Sequence, residues 1–317
     1  MPEIISDNDL PKIANTAAKR VKWVKMLVAA QFGSTVKRLD NPPMQGMFSR
    51  TLFATLADKT ELVIQLRTEV LDLEAFALAR ATLGEAIVPW VRELESEELN
   101  VAGVWAYAME RIPGQMWLRG VASKGAAGRV AINRSLGGVL ARGQVVGHGT
   151  SDDALIKHVR PHLEAIVASP LTEIDPYRAL YLNEVNVLID PDQDCTVTGL
   201  IDWEHSFPLP LGVGLGRIHT LAGEYTEGAF WMPPEFVEAE KAFWNSFFDG
   251  IPDEEVKSQV SQQLVLVQEA VLLGTLLDTF FIEDGTVGVS TVSVTALSKF
   301  LTYRLPALRD GAPPYTI

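Results

Sequence analysis

The chain has 317 residues, 47% of them hydrophobic, which is enough to bury a sizeable core in one large or two modest domains. Its formal net charge of −13 argues against nucleic acid and anionic membranes as partners, because both select basic proteins. The single cysteine, Cys195, excludes a disulfide framework, and the N-terminus lacks the basic start and apolar core of a signal peptide, so we expect a cytoplasmic protein.

The first part of the sequence predicts a helix, three antiparallel strands, a second helix and a further strand. These elements are expected over residues 10–32, 34–39, 48–56, 61–67, 71–83 and 101–111. Gly33 and Gly84 are expected to end the two helices, because glycine readily adopts the backbone conformation that closes a helix. The Ile112-Pro113-Gly114 break after the last strand leads us to place a first domain over residues 1–112.

The remainder, residues 113–317, predicts a mainly helical second domain around one β-hairpin. Helices are expected over residues 130–142, 155–169, 239–248, 254–281 and 292–303, and hairpin strands over residues 186–189 and 197–201. The most apolar run, residues 264–281, contains Gln268, Glu269 and Asp278, which favours a buried helix over a membrane span.

The outer ends of this hairpin form a candidate metal site. A tight hairpin brings its ends together, so Asn186 and Asp202 are expected to be neighbours. Amide and carboxylate oxygens are the ligands that hard cations such as Mg²⁺ prefer. The alternative is that Asn186 caps a turn and Asp202 begins one, since both residue types are common in loops.

Three motifs carry a resemblance to a known superfamily. Residues 182–190 (LNEVNVLID) and 198–203 (TGLIDW) resemble the catalytic loop and metal-binding strand of the aminoglycoside phosphotransferase-like kinases, closest to their fungal members. Residues 107–114 (YAMERIPG) are similar to the superfamily's hinge element, Y-x-M-E-x-x-P-G. The resemblance implies an α+β, protein-kinase-like, two-lobed fold. Its N-lobe would be an antiparallel sheet with a packing helix, and its C-lobe would be mainly helical.

The resemblance also implies roles for residues of the N-lobe. Tyr107 and Met109 lie where backbone groups of the superfamily meet adenine. Arg67 ends the run VIQLR, similar to a V-V-Q-F-R run of the fungal members, and would bind phosphate in place of a lysine. Its expected partner is Glu74, or Glu69. The alternative is a surface arginine at a strand end.

The sequence departs from the superfamily at the catalytic base. The catalytic Asp falls on Tyr181 and the His two residues earlier falls on Ala179. Tyrosine, with a pKa near 10, is neutral at pH 7 and cannot accept a substrate proton as a carboxylate does. Losing a general base typically removes ~10²–10⁴ in rate. Glu184 is a possible substitute, and residues 41–50, in place of a glycine-rich phosphate cover, hold only Gly46.

Three interpretations follow: an active phosphotransferase with a substitute base, a non-catalytic pseudokinase scaffold, or a cleft recruited to a different reaction. We favour the last, an ATP-independent protein that binds or acts on a small organic molecule in the inter-lobe cleft, for example in a natural-product cyclisation or isomerisation. No cofactor is expected, and Mg-ATP only if the kinase interpretation holds. The side chains expected to polarise or protonate the substrate are Arg67, Tyr181, Asp202, Glu204 and His205.

Overall fold

The structure is a computed structural model that describes residues 4, 6–46, 48–117, 120, 124–143, 155–169, 187–190, 192, 196–200, 211–216, 223–226, 229–283 and 285–309. It divides into two compact units, with a boundary between Ile112 and Pro113. The first unit contains a five-stranded antiparallel sheet with helices, and the second is mainly helical with small sheets. The predicted α+β class is confirmed.

The sheet of the first unit has the strand order β1-β2-β3-β5-β4, with every neighbouring pair antiparallel. The strands are β1 (Val36–Asp40), β2 (Arg50–Leu56), β3 (Glu61–Arg67), β4 (Val91–Glu93) and β5 (Trp105–Glu110), and the helices are α1 (Ala17–Phe32), α2 (Leu73–Leu83) and α3 (Glu97–Val101). The chain leaves β3, forms α2, adds the edge strand β4 and returns as β5. Strand β5 is therefore hydrogen-bonded on both sides, between β3 and β4.

Capping residues decide where these helices begin and end. Helix α1 begins later than predicted because the side chain of Thr16 accepts a hydrogen bond from the Lys19 N–H and so caps the helix. It ends at Gly33 as predicted, with φ of 63°, a left-handed conformation that glycine adopts without a steric penalty. Asp72 caps α2 through the backbone N–H groups of Glu74 and Ala75.

The predicted strand over residues 101–111 is wrong in its first residues. Ser96 caps a short helix, α3, whose last residue Val101 is 83% exposed. A buried strand begins only at Trp105. The strand-like residue types around Val101 are overridden by the cap, because the cap satisfies backbone donors that a helix start otherwise leaves unpaired.

Side chains of the central strands point alternately to the two faces of the sheet, and both faces are packed. Leu62, Ile64 and Leu66 of β3 are buried on the face that packs against Trp23 and Val24 of α1. On the opposite face, a second cluster contains Val63, Trp105, Tyr107 and Met109 from the sheet with Leu71 and Phe76. Each face thus has its own hydrophobic layer.

The second unit contains seven helices in the part of the chain that the structure describes. They are α4 (Gly125–Ala141), α5 (Arg160–Ala168), α6 (Phe236–Asp249), α7 (Glu254–Gln262), α8 (Leu264–Thr279), α9 (Thr291–Leu301) and α10 (Pro306–Arg309). Its short strands are β6 (Gln115–Met116), β7 (Val187–Asp190), β8 (Thr196–Leu200), β9 (Glu224–Thr226), β10 (Ala229–Trp231), β11 (Ile282–Glu283) and β12 (Thr286–Val287).

The predicted helix over residues 254–281 is two helices. Gln263, with φ of −116° and ψ of 27°, leaves helical geometry, and α7 and α8 meet there at 81°. Within the described ranges no single helix is long and apolar enough to cross a membrane, whereas the bent α7–α8 pair would pass that test by length and composition together.

A buried polar cluster fastens α10 to α6. The Trp244 indole N–H donates to the Tyr303 hydroxyl at 2.5 Å, and Arg309 pairs with the Glu240 carboxylate. Gln268 donates to the Tyr303 carbonyl at 3.1 Å. Burial raises the pKa of Glu240, against the opposing effect of Arg309, and burial also raises the pKa of Tyr303. The polar groups are buried together because each has a partner within the cluster.

Helices α4 and α6 approach closely at a glycine. A Cβ added to Gly137 would lie 2.2 Å from the carbonyl oxygen of Phe243, whereas one added to Gly138 would meet only the side-chain hydroxyl of Ser246, at 3.1 Å. Backbone cannot move aside as a side-chain end can. Gly137 is therefore required by packing, and Gly138 is not.

We expect Gly137→Ala to lower the free energy of unfolding by about 1–3 kcal/mol, the usual cost of overpacking a tight contact. Gly138→Ala is the matched control and should change it by less than about 1 kcal/mol, since alanine also has the better helix propensity. Urea denaturation of both variants measures the difference. Equal stabilities would contradict the close approach of α4 and α6.

Candidate functional site

The predicted hairpin of the second unit is confirmed. Strands β7 and β8 pair antiparallel, with Val187 opposite Leu200 and Asp190 opposite Thr196, and β6 adds a third strand beside β7. In the sequence, Asn186 immediately precedes the Val187–Leu200 pair.

Half of the predicted site lies outside the described residues. These are the proposed catalytic and metal-binding positions Tyr181, Asn186, Asp202 and Glu204. Their roles stay predictions. Among the residues that the structure does describe, no cluster of three or more His, Cys, Asp or Glu side chains could hold a metal ion.

Arg67 lies at the end of β3, opposite Trp105, and is 5% exposed. Its Nη1 donates to Oε1 of Gln65 at 3.1 Å, two residues earlier on the same face of the strand. The alternative interpretation of Arg67 as a surface arginine is wrong. Its guanidinium is enclosed, and an enclosed cation at a strand end is the kind of group that binds an anion.

Glu74 does not fulfil its predicted role. It is exposed in the first turn of α2, where its backbone N–H donates to the capping Asp72 at 3.0 Å. Among the ion pairs of the described residues, Arg67 is paired with neither Glu74 nor Glu69. The buried face of α2 carries apolar residues, so the position of Glu74 next to the cap serves the helix N-terminus.

Tyr107 and Met109 are held inside the sheet. Tyr107 is fully buried, and its hydroxyl accepts a hydrogen bond from the Leu71 N–H at 2.9 Å. The Arg111 N–H donates to the Glu61 carbonyl of β3. In an antiparallel ladder, the backbone groups of every second residue point to the same neighbouring strand. The backbone groups of Met109 and Tyr107, opposite residues 63 and 65, therefore face β3 and are used by the sheet.

In β5, the backbone groups of the residues that alternate with Tyr107 and Met109 point towards β4. The Glu110 N–H donates to the Trp90 carbonyl at 3.3 Å, and β4 itself begins only at Val91. The next backbone group on that side belongs to Ile112, beyond the end of the strand. The predicted contact of Tyr107 and Met109 with adenine stays a prediction, and Ile112 carries the next backbone groups on the β4 side.

The second face of the sheet carries a group of five side chains, which we call the second-face patch: the half-buried Phe53, Val63, Gln65 and Arg111, and the buried Arg67. Phe53 pairs with Val63, and the Arg111 guanidinium lies 4.4 Å above the Phe53 ring while pairing with Glu61 at 3.3 Å. None of these five side chains accepts a proton at neutral pH. The patch can bind an apolar or aromatic group and orient it, but it supplies no general base.

Sequence inspection missed Phe53, Gln65 and Arg111 as members of this patch. A signal for two of them was present, because Phe53 and Gln65 alternate with Leu52 and Ile64, two apolar residues of β2 and β3 that are buried on the other face. Arg111 and Phe53 are 58 positions apart in the sequence, so no local sequence pattern predicts the contact between their side chains.

The loop between β1 and β2 lies at the sequence position where the resemblance implies a phosphate cover. Pro42 and Pro43 lack backbone N–H groups, and the Gln45 carboxamide bonds both the N–H and the carbonyl of Thr51, at 2.9 and 2.8 Å. Gly46 is exposed. The described part of the loop is therefore fastened to β2 by the Gln45 side chain, and its two prolines offer no N–H to a phosphate.

No protein-family model and no curated protein matches the chain. Among solved structures, it is similar to macrolide 2'-phosphotransferase MphH from Brachybacterium faecium, with 16% identity, TM-score 0.46, and coverage of 82% of this chain and 92% of that one. A putative fructosamine-3-kinase from Thermobifida fusca has 14% identity, TM-score 0.45 and coverage of 88% and 96%. Aminoglycoside phosphotransferase APH(4)-Ia, in a thermostable mutant, has 12% identity, TM-score 0.44 and coverage of 78% and 96%.

We expect Tyr107→Phe to lower the free energy of unfolding by about 1–3 kcal/mol, because it removes the acceptor from the buried Leu71 N–H. Met109→Leu, a volume-conserving change in the same cluster, serves as the control and should cost less than about 1.5 kcal/mol. Chemical denaturation measures both. A Tyr107→Phe variant as stable as the wild type would show that the hydroxyl has no structural role.

Proposed function

We propose that this chain binds a small organic molecule on a phosphotransferase-like fold and does not transfer phosphate from ATP by the mechanism of the superfamily it resembles. The observation that carries the proposal is the pair Ala179 and Tyr181, in the positions of the catalytic His and Asp. In phosphoryl transfer by kinases, that carboxylate orients the attacking hydroxyl and accepts its proton. A neutral phenol cannot take this role at pH 7.

Two features of the first unit support the proposal. The loop after β1 is fastened by Gln45 and contains two prolines, so it is poorly suited to cover the phosphates of a nucleotide. The face of the sheet that carries Arg67 also carries the apolar Phe53 and Val63, with the Arg111 guanidinium over the Phe53 ring. Such a surface favours the apolar part of an organic ligand, and Arg67 would interact with an anionic or carbonyl group on it.

The proposed reaction class is an ATP-independent change of a natural product, such as a cyclisation or isomerisation. In this proposal Asp202 and Glu204 hold or move a proton, Tyr181 donates one, and Arg67 stabilises negative charge that develops on the substrate. The closeness of the motifs to fungal members supports secondary metabolism as the setting. Asn186 and Asp202 have the donor atoms that Mg²⁺ prefers, and a bound ion would polarise a substrate oxygen.

A titration with Mg-ATP tests the proposal directly. We expect no Mg²⁺-dependent binding of ATP at millimolar concentration and no phosphorylated product, while some members of a panel of small aromatic and polycyclic metabolites raise the melting temperature. A ligand at a hundred times its Kd stabilises a protein by about 2.7 kcal/mol, which is easily measured. Mg²⁺ alone and ATP with a chelator are the controls.

Two other outcomes of this titration would each favour a different function. Tight, metal-dependent ATP binding with turnover would overturn the proposal in favour of a phosphotransferase with a substitute base such as Glu184. Binding of neither class of ligand, together with a stable complex with a protein partner, would favour the pseudokinase scaffold.

A second experiment restores the missing catalytic pair. We expect the double variant Ala179→His with Tyr181→Asp to remain folded and to show no ATP hydrolysis above the wild type, because the phosphate cover has changed as well as the base. Circular dichroism and a phosphate-release assay provide the two measurements, with Tyr181→Phe as the control that removes only the hydroxyl. Measurable hydrolysis by the double variant would mean that only the base had been lost.

A further inference from the structure

A cavity of about 530 Å³ opens in the first unit, bounded by the N-terminal segment, α1, the loop after β1 and the start of β2. We call it the arginine cavity. Its lining includes Ile4, Asp7, Arg20, Asn41, Gln45 and Arg50. Its volume lies within the range of small-molecule sites, about 300–1,000 Å³.

The cavity has more buried positive than negative charge. The side chains of Arg20 and Arg50 are only 10% and 9% exposed, and both point their guanidinium groups at one carboxylate, Asp7, at 2.9 and 3.5 Å. Their remaining contacts include the neutral carbonyls of residues 14 and 4. Buried cations require anionic compensation, and among the charged residues of the lining one carboxylate stands against two guanidinium groups.

The arginine cavity is separate from the second-face patch. Arg50 is directly opposite Leu66 in the ladder between β2 and β3, so it shares the face that packs against α1. Arg20 lies on α1 one turn before Val24, on the buried side of that helix. Arg67 is adjacent to Leu66 and therefore points to the opposite face.

Asp7 occupies the position where an anion is stabilised. Its side chain is 48% exposed and lines the cavity together with the less exposed Arg20 and Arg50. The hydrogen bond from Arg20, followed by the charges of Arg20 and Arg50, lowers the pKa of Asp7 despite some opposing desolvation. The site therefore favours a negative group at the point where Asp7 now supplies one.

We infer that the arginine cavity binds the anionic group, a carboxylate or a phosphate monoester, of a small organic molecule, with Arg20 and Arg50 as its ligands and Asp7 as a competing internal anion. Each guanidinium carries planar, forked N–H donors that suit either anion, and the two groups face one point. Asn41 and Gln45 at the rim border the remainder of the ligand. This site is independent of the proposed function, because it lies on the other face of the sheet from Arg67.

The test uses the full-length protein and three probes, inorganic phosphate, acetate and the neutral acetamide, followed by calorimetry or by the shifts of arginine Nε–H resonances. We expect saturable, salt-sensitive binding of phosphate or acetate and none of acetamide. Asp7→Asn should tighten binding by on the order of tenfold, since it removes one like charge a few ångströms away. Asp40→Asn, which removes an exposed carboxylate on β1, should leave affinity unchanged.

Two further variants keep the test decisive if Asp7→Asn disturbs the N-terminal segment. Arg50→Lys keeps the charge but loses the forked contact, and should weaken binding by about tenfold. Asn41→Trp fills the rim from an exposed position and should abolish binding without lowering the melting temperature. Arg38→Gln, at a 66% exposed side chain, is the control for loss of one positive charge.

Tighter binding of phosphate than acetate would indicate a phosphorylated ligand, and the reverse order a carboxylic acid. The inference is overturned if neither anion binds saturably to the wild type and to Asp7→Asn. It is also overturned if acetamide binds as well as acetate, or if Arg50→Lys and Asn41→Trp leave the affinity unchanged. In each of these cases the two arginines serve only to anchor the N-terminal segment.

Discussion

Hydrogen bonding of β5 to strands on both sides fixes the register of the first unit, and everything that we assign to this unit depends on that register. With β3 and β4 as neighbours, β5 cannot shift by one residue without breaking both ladders. Such a shift would exchange the two faces of β5. Tyr107 and Met109 would then point into the core against α1, and Ala106 and Ala108 would move to the second face. The hydrophobic layers on the two faces prevent this, and so determine which side chains are available for binding.

Arginine is the residue that this acidic chain uses for buried polar contacts in the first unit. Arg20 and Arg50 attach the N-terminal segment, Arg80 donates to backbone carbonyls after α2, and Arg111 bridges Glu61 and an aromatic ring. Each case uses the planar, multiply donating guanidinium group, which can bind several acceptors while its aliphatic part packs among apolar residues. The acidic surplus lies elsewhere in the sequence. Local positive sites therefore exist in a chain whose net charge is −13.

Hydrophobic periodicity and helix-ending residues predicted the elements that are long or that end at a glycine. Strand β3 was predicted at its observed bounds, and the two glycines after α1 and α2 end those helices as expected. The three-residue strand β4 was missed because it is too short to show a period. The break at Gln263 was missed because neither proline nor glycine stands near it in the sequence. The role of Tyr107 depended on which neighbours its strand pairs with, and pairing is a tertiary property that no local pattern encodes.

The same division between core and surface means that the fold of the first unit does not depend on a catalytic carboxylate. In the first unit, stability comes from the two hydrophobic layers and from caps such as Thr16 and Asp72, none of which requires a catalytic carboxylate. Substitutions outside these layers and caps therefore cost the folding of the first unit little. None of the side chains of the second-face patch can accept a proton at neutral pH. Our proposed function extends this property to Tyr181, whose neutral phenol would hold and orient an organic molecule where the resemblance places an acid.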